Sequence, residues 1–109
     1  MMNRQLTIPP QLDKFKAQLK EHFGVRFAGI TLYGSYAHNQ ARPDSDLDLL
    51  LILKSSSAKS DDYLSILPLI SGFLLETGIL ISMLIKTEQD LLTQREGVLK
   101  NIQSEGICL

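Results

Sequence analysis

Asp46 and Asp48 are the residues of this 109-residue chain best placed to do chemistry together. They open the apolar run Leu47-Asp48-Leu49-Leu50-Leu51-Ile52-Leu53, and on an extended strand residues two apart project from the same face. Two carboxylates so close repel each other, and a divalent cation between them relieves that repulsion. Hard oxygen ligands without a His or Cys cluster suit Mg²⁺ or Mn²⁺ and not zinc. Ten residues separate Asp46 from the pair Gly34-Ser35, which closes another apolar run. Glycine permits a sharp turn and close approach of a ligand, and Ser35 opens a short helix, Tyr36 to Gln40, whose free amides and positive dipole end favour an anion. A triphosphate satisfies both halves. A phosphate-cradling turn and a metal-holding acid pair are the minimum apparatus for phosphoryl or nucleotidyl transfer by two metal ions. One metal lowers the pKa of an acceptor hydroxyl and the other steadies the leaving pyrophosphate. Either piece alone is commonplace; their joint occurrence on two apolar runs is the informative signal.

These residues need a scaffold, and the periodicity supplies one. After Pro9-Pro10, Leu12, Phe15, Leu19 and Phe23 form one stripe of an amphipathic helix that Gly24 ends. Val25 to Tyr33 reads as a strand running into the Gly34-Ser35 turn. Asp46 to Leu53 reads as a central strand, apolar on both faces beyond its acids. Ser60-Asp61-Asp62 starts a helix with Leu64, Leu67, Ile70 and Leu74 as its stripe, closed by Thr77-Gly78, and Pro68 predicts a kink or a late start. Ile79 to Ile85 is a third buried strand. Thr87 and Asp90 have the spacing of a helix start, for a helix running toward Asn101 with Gly97 as a weak point. Ile107-Cys108-Leu109 is a last short strand or an apolar tail. The order αβαβαβα describes one α/β or α+β domain over residues 1–109.

Composition narrows the function classes. Hydrophobic residues make up 44% and charged residues 21%, enough for a core and too little charge for disorder. Eleven basic against twelve acidic side chains leave a formal charge of -1, so no general attraction to nucleic acid or to an anionic membrane is expected. Cys108 has no second cysteine to pair with, and Met1-Met2-Asn3-Arg4-Gln5 lacks the apolar stretch of a signal peptide, which points to the cytoplasm. Ile66 to Ile85 is long enough to cross a bilayer, but Pro68, Gly72, Glu76, Thr77 and Gly78 interrupt it, so a core helix followed by a core strand is the reading.

With Gly34-Ser35, ten residues, then Asp46-Leu47-Asp48, the chain resembles the minimal nucleotidyltransferase antitoxins of the DNA polymerase beta superfamily. The likeness runs from the opening helix to the terminal Asn101-to-Ile107 pattern. It implies a mixed β-sheet flanked by helices and a Mg²⁺-dependent transfer of AMP from ATP. It also implies a cognate HEPN-domain ribonuclease toxin, neutralised in a hetero-oligomer by AMP attached to a toxin tyrosine. On this resemblance Asp46 and Asp48 are the catalytic and metal-holding residues, and Gly34 and Ser35 hold the triphosphate. The chain has room for the catalytic core alone, so the partner brings the acceptor. The alternative is an antitoxin that inhibits by binding alone, over a weakened site; transfer to a small molecule such as an aminoglycoside is disfavoured because no acceptor domain is present.

The chain departs from the family pattern in two places. His38-Asn39 stands where Arg-Gly is frequent; Asn tolerates the turn, but a cation near the phosphates is lost. Arg42 is either the compensating phosphate contact or a solvated loop cation. The third carboxylate of the superfamily falls near Ser82, which cannot serve as a charged ligand or a base. Asp44 extends the same-face series but follows Pro43 in a turn. Glu76 and Glu88 read as helix-surface or capping residues, and a partner group is the remaining substitute. Of the tyrosines flanking the turn, Tyr33 is expected in the core, and Met83 is core filling.

Overall fold

A computed structural model describes residues 8–37, 45–55, 59–93, 102 and 106–109. Helix α1 (Gln11–Phe23) buries Leu12, Phe15, Leu19 and Phe23, the expected stripe, and ends at Gly24, whose positive φ of 57° lets its N–H return to Lys20 O. The strand after it starts later than expected. Gly24–Arg26 forms a 3-10 turn that leaves Val25 87% exposed, and β1 runs from Phe27 to Tyr33.

Strand β2 (Leu47–Leu53) begins one residue after Asp46. Helices α2 (Lys59–Ser65) and α3 (Leu67–Thr77) replace the single helix expected after Ser60, because Pro68 in the first turn of α3 has no N–H to continue the ladder from α2. The break resets the helical phase. Ile66, Ile70 and Phe73 are buried, whereas Leu64, Leu67 and Leu74, expected to share a stripe with Ile70, are exposed. Gly78 closes α3 in the left-handed conformation, and Thr77 Oγ accepts the N–H of Ile79. β3 spans Ile81–Thr87, two residues later than the periodicity suggested. The Thr87–Asp90 start is present as read: each residue's backbone N–H donates to the other's side-chain oxygen, at 3.0 and 3.1 Å, at the head of α4 (Glu88–Thr93). Residues 94–101, and with them the expected extension and Gly97, lie outside the described residues. The carboxyl-terminal apolar residues form strand β4 (Ile107–Cys108).

The sheet is mixed, in the order β3-β2-β1-β4. β2 lies antiparallel to β1 and parallel to β3, and β4 joins β1 antiparallel. The central placing of β2 accounts for its apolar character on both faces. One face, carrying Leu47, Leu49, Leu51 and Leu53, packs with Ile30, Leu32, Ile81 and Ile85 under α1 and α3. There Phe15 and Phe73 meet edge to face at 5.6 Å. Leu50 and Ile102 form a smaller cluster on the other face, with Tyr33, Ile52, Leu84 and Leu91 against it. No helix among the described residues is long and apolar enough to cross a membrane.

The sheet end where β1 starts and β2 finishes is tied by a charged cluster. Arg26 donates two hydrogen bonds to the Asp62 carboxylate at 3.0 and 3.2 Å and a third to Ser55 O at 3.1 Å, and its guanidinium lies 5.2 Å from the Phe23 ring centroid. Asp62 is 5% exposed, and the Arg26 fork sets a cation directly against its buried carboxylate. Replacing Asp62 with Ala should lower the unfolding free energy by about 1–3 kcal/mol in urea titration. The double replacement Arg26→Leu, Asp62→Leu should cost less than the two single changes summed. An Asp62→Ala midpoint equal to wild type would show the pair to be dispensable.

Candidate active site

The opposite end of the sheet brings the acids and the glycine turn together. β1 ends at Tyr33, and the backbone leaves the strand at Gly34 with φ of 76°. It then makes one 3-10 turn, Gly34–Tyr36, in which Ala37 N–H donates to Gly34 O at 3.1 Å. A side chain at position 34 would be strained by that φ, and its Cβ would overlap Asp48 Oδ2 and sit 3.0 Å from Asp48 Cγ. The bare glycine is what allows the turn to lie against the carboxylate. Across the sheet Asp48 is in register with Tyr33 on β1 and with Ser82 on β3, so Tyr33, Asp48 and Ser82 form one lateral row. Leu47 N–H donates to Leu80 O at 2.9 Å and fixes the start of β2 beside β3.

Asp46 is exposed just ahead of the strand and Asp48 is half-buried. Burial pushes the Asp48 carboxyl above its ordinary 3.8, and the negative charge of Asp46 adds to the rise. The two acids therefore interact through space, and the proton affinity that Asp46 lends Asp48 is equally an affinity for a cation. Two carboxylates, with no His or Cys clustered with them among the described residues, fit a hard divalent ion. Among the described residues no cluster of three or more His, Cys, Asp or Glu side chains is placed to hold a metal, so this donor set stops at two acids.

Tyr33 shares the acid face and packs against the Leu50 cluster; burial raises its phenol above the usual 10.0, with the Asp48 charge second. Tyr36 is the core residue, 4% exposed. Tyr33 meets the expectation of core packing only in part, against the smaller cluster: residues in register on antiparallel strands share a face, so Tyr33 must accompany Asp48, while the turn at Gly34 swings Tyr36 under the sheet. The sequence signal for Tyr33 was available only through that register.

The remaining site residues fall out as follows. The Ser35 backbone lies in the turn beside Gly34. Arg42, with His38, Asn39 and Asp44, lies outside the described residues. Ser82 does occupy the row of Asp48, with a hydroxyl in place of an acid. Glu76 reaches Lys14 on α1 at 3.6 Å, and Glu88 stands in the first turn of α4; neither joins Asp46 and Asp48. The structure thus brings together Gly34, the Ser35 backbone, Asp46 and Asp48.

The nucleotidyltransferase domain family model matches residues 12–105. A putative protein adenylyltransferase of Methanocaldococcus jannaschii is 36% identical over 81 residues, covering 73% of this chain and 55% of that protein. The protein adenylyltransferase MntA of Thermococcus cleftensis is 45% identical over 40 residues, covering 37% of this chain and 38% of that one. The chain spans about half the length of the first relative and less of the second.

Two substitutions test the geometry. Gly34→Ala should destabilise the fold by more than the ~1 kcal/mol of a positive-φ penalty, since the methyl also meets Asp48. Gly34→Ala in an Asp48→Gly background should recover part of that loss in thermal denaturation. Full additivity would place the two residues apart. Asp48→Asn should raise stability at pH 7, by on the order of 0.5–1 kcal/mol after allowance for solvent screening. A folded carboxyl pKa above the unfolded one means that ionisation costs stability as pH rises through the folded value. The advantage of Asn should therefore shrink on acidification and vanish below pH ~4, the unfolded Asp pKa. A pH-independent difference would mean that the carboxylate charge is not its source.

Proposed function

The chain belongs to the nucleotidyltransferase domain family, and from that premise we propose that it transfers AMP from ATP to a tyrosine hydroxyl of a cognate HEPN-domain ribonuclease toxin, neutralising it as an antitoxin. The observation that carries this reading is the contact of a side-chain-free turn at Gly34 with the Asp48 carboxylate, itself coupled to Asp46. Residues 1–109 act as one domain, in the cytoplasm, with ATP as donor and no direct contact with nucleic acid or membrane. Both relatives are named as protein adenylyltransferases, one of them putatively, which supports a protein acceptor.

In the proposed reaction the tyrosine oxygen bonds to the α-phosphorus, the bond from that phosphorus to the bridging oxygen breaks, pyrophosphate leaves and the phenolic proton passes to water. Asp46 and Asp48 hold Mg²⁺, which when bound offsets their charges and stabilises charge on the phosphates. Gly34 keeps the turn close and open, and the Gly34 and Ser35 backbone, with Arg42, holds the triphosphate. The protein partner supplies the acceptor, so the working assembly is a hetero-oligomer.

A second reading is favoured by one observation. Ser82 takes the place beside Asp48 where an acid would complete the donor set, and a weakened enzyme would neutralise the toxin by covering it. Incubation with the protein of the neighbouring reading frame, ATP and Mg²⁺, followed by mass spectrometry, separates the two. Transfer predicts partner molecules heavier by AMP, with the rate falling by on the order of 10²-fold or more in Asp46→Asn and Asp48→Asn, and loss of protection from toxicity in those variants. A tightly bound partner of unchanged mass, still neutralised by both variants, would establish binding alone.

A further inference from the structure

Asp48 has a different neighbour on each flank. On the β1 side lies the Gly34–Tyr36 turn, so close that a Cβ at position 34 would overlap Asp48 Oδ2. On the β3 side lies Ser82, in register with Asp48 on the adjacent parallel strand, so the two side chains project from one face. β3 is an edge of the sheet, and along it Ile81 turns into the core while Ser82 is exposed. Ser82 therefore presents an accessible hydroxyl one strand spacing, ~4.8 Å, from the Asp48 backbone. Tyr33, the other hydroxyl of the row, stands on the β1 side and packs against the Leu50 cluster.

Nucleotidyl transfer needs the attacking and leaving oxygens roughly in line through the phosphorus. With the triphosphate on the Gly34 and Ser35 backbone, pyrophosphate departs on the β1 flank of Asp48, and the attacking hydroxyl has to come from the β3 flank. The residue on that flank is Ser82. We infer, resting on the reading of this chain as an AMP transferase, that Ser82 is itself an acceptor: without a partner, the chain transfers AMP from ATP to its own Ser82 Oγ. The Ser82 oxygen bonds to the α-phosphorus, the bond from that phosphorus to the bridging oxygen breaks, pyrophosphate leaves and the hydroxyl proton passes to water. Reacting atoms in a near-attack arrangement stand ~3–3.5 Å apart, less than the ~4.8 Å between neighbouring strands, so a phosphorus held beside Asp48 comes within reach of that oxygen. Tyr33 is excluded by the same geometry, since it shares the flank of the leaving group. Acceptor and acids belong to one chain, so the step is intramolecular and its rate constant is independent of chain concentration.

Incubating the full chain with ATP and Mg²⁺ alone, followed by intact-mass and peptide-fragment mass spectrometry, tests this. The expected result is a chain heavier by a single AMP, with the added mass on Ser82 and a rate constant that stays level across a series of chain concentrations. Ser82 is exposed, so its replacement leaves the core untouched. Ser82→Ala should abolish the adduct, and Ser82→Thr, which keeps a hydroxyl, should retain it. A readout independent of turnover is the amide NMR spectrum titrated with Mg²⁺ and the α,β-methylene analogue of ATP, which cannot release pyrophosphate; the Ser82 amide should shift. An adduct on Tyr33 or elsewhere, an adduct that survives Ser82→Ala, a rate constant that rises with chain concentration, or a Ser82 amide unmoved by the analogue would overturn the proposal. The same preparation incubated with the protein of the neighbouring reading frame separates the two readings. A chain that labels that protein and never itself sinks self-transfer alone, and a chain that labels neither sinks AMP transfer with it.

Discussion

The site rests on a steric condition: the chain must pass the Asp48 carboxylate at a distance that no side chain at position 34 could share. Glycine meets that condition twice over, since the same residue also adopts a positive φ that turns the backbone out of β1. Everything upstream and downstream is constrained by it. β1 has to end at Tyr33, the antiparallel register has to set Tyr33 beside Asp48, and β2 has to begin where its second residue reaches the turn. A slip of one residue in that register would send Asp48 to the opposite face, into the layer of Leu49 and Leu51.

Holding two acids there costs stability, and the rest of the molecule offsets the cost. The half-burial of Asp48 and the nearness of Asp46 both disfavour ionisation. Against this stand a main core in which α1 and α3 cover one face of the sheet and a charged fork, Arg26 with Asp62, at the far end. Each large side chain buried in that core contributes about 1.5–3 kcal/mol. The division is spatial as well as energetic. An ion pair closes one end of the sheet, while the two acids gather at the other.

The row across the sheet also says what kind of site this is. Tyr33, Asp48 and Ser82 stand side by side on three strands, so the acid has an aromatic neighbour on one flank and a small hydroxyl on the other. The donor set is thereby limited to Asp46 and Asp48 among the described residues. An ion held by two acids keeps more of its coordination for water and phosphate oxygens than one held by three.

Local patterns were readable without coordinates because their physics is local. The α1 stripe follows from 3.6 residues per turn, the shared face of Asp46 and Asp48 from strand alternation, and the Thr87–Asp90 exchange from capping chemistry three residues long. The interruption at Pro68 is legible in the sequence, but the buried stripe is not, because the proline resets the phase and moves burial from Leu64, Leu67 and Leu74 to Ile66 and Phe73. Arg26 and Asp62 are 36 residues apart, and nothing in either neighbourhood announces that they form a fork. Tyr36, and not Tyr33, is the more deeply buried of the two tyrosines, because only the register of β1 on β2 says which of them faces the acids. Short-range spacing therefore supplied the kinds of element and the acid pair. The partners of those acids, and the glycine's reason for being glycine, came from packing between segments distant along the chain, where free energy depends on contacts that no window of neighbouring residues contains.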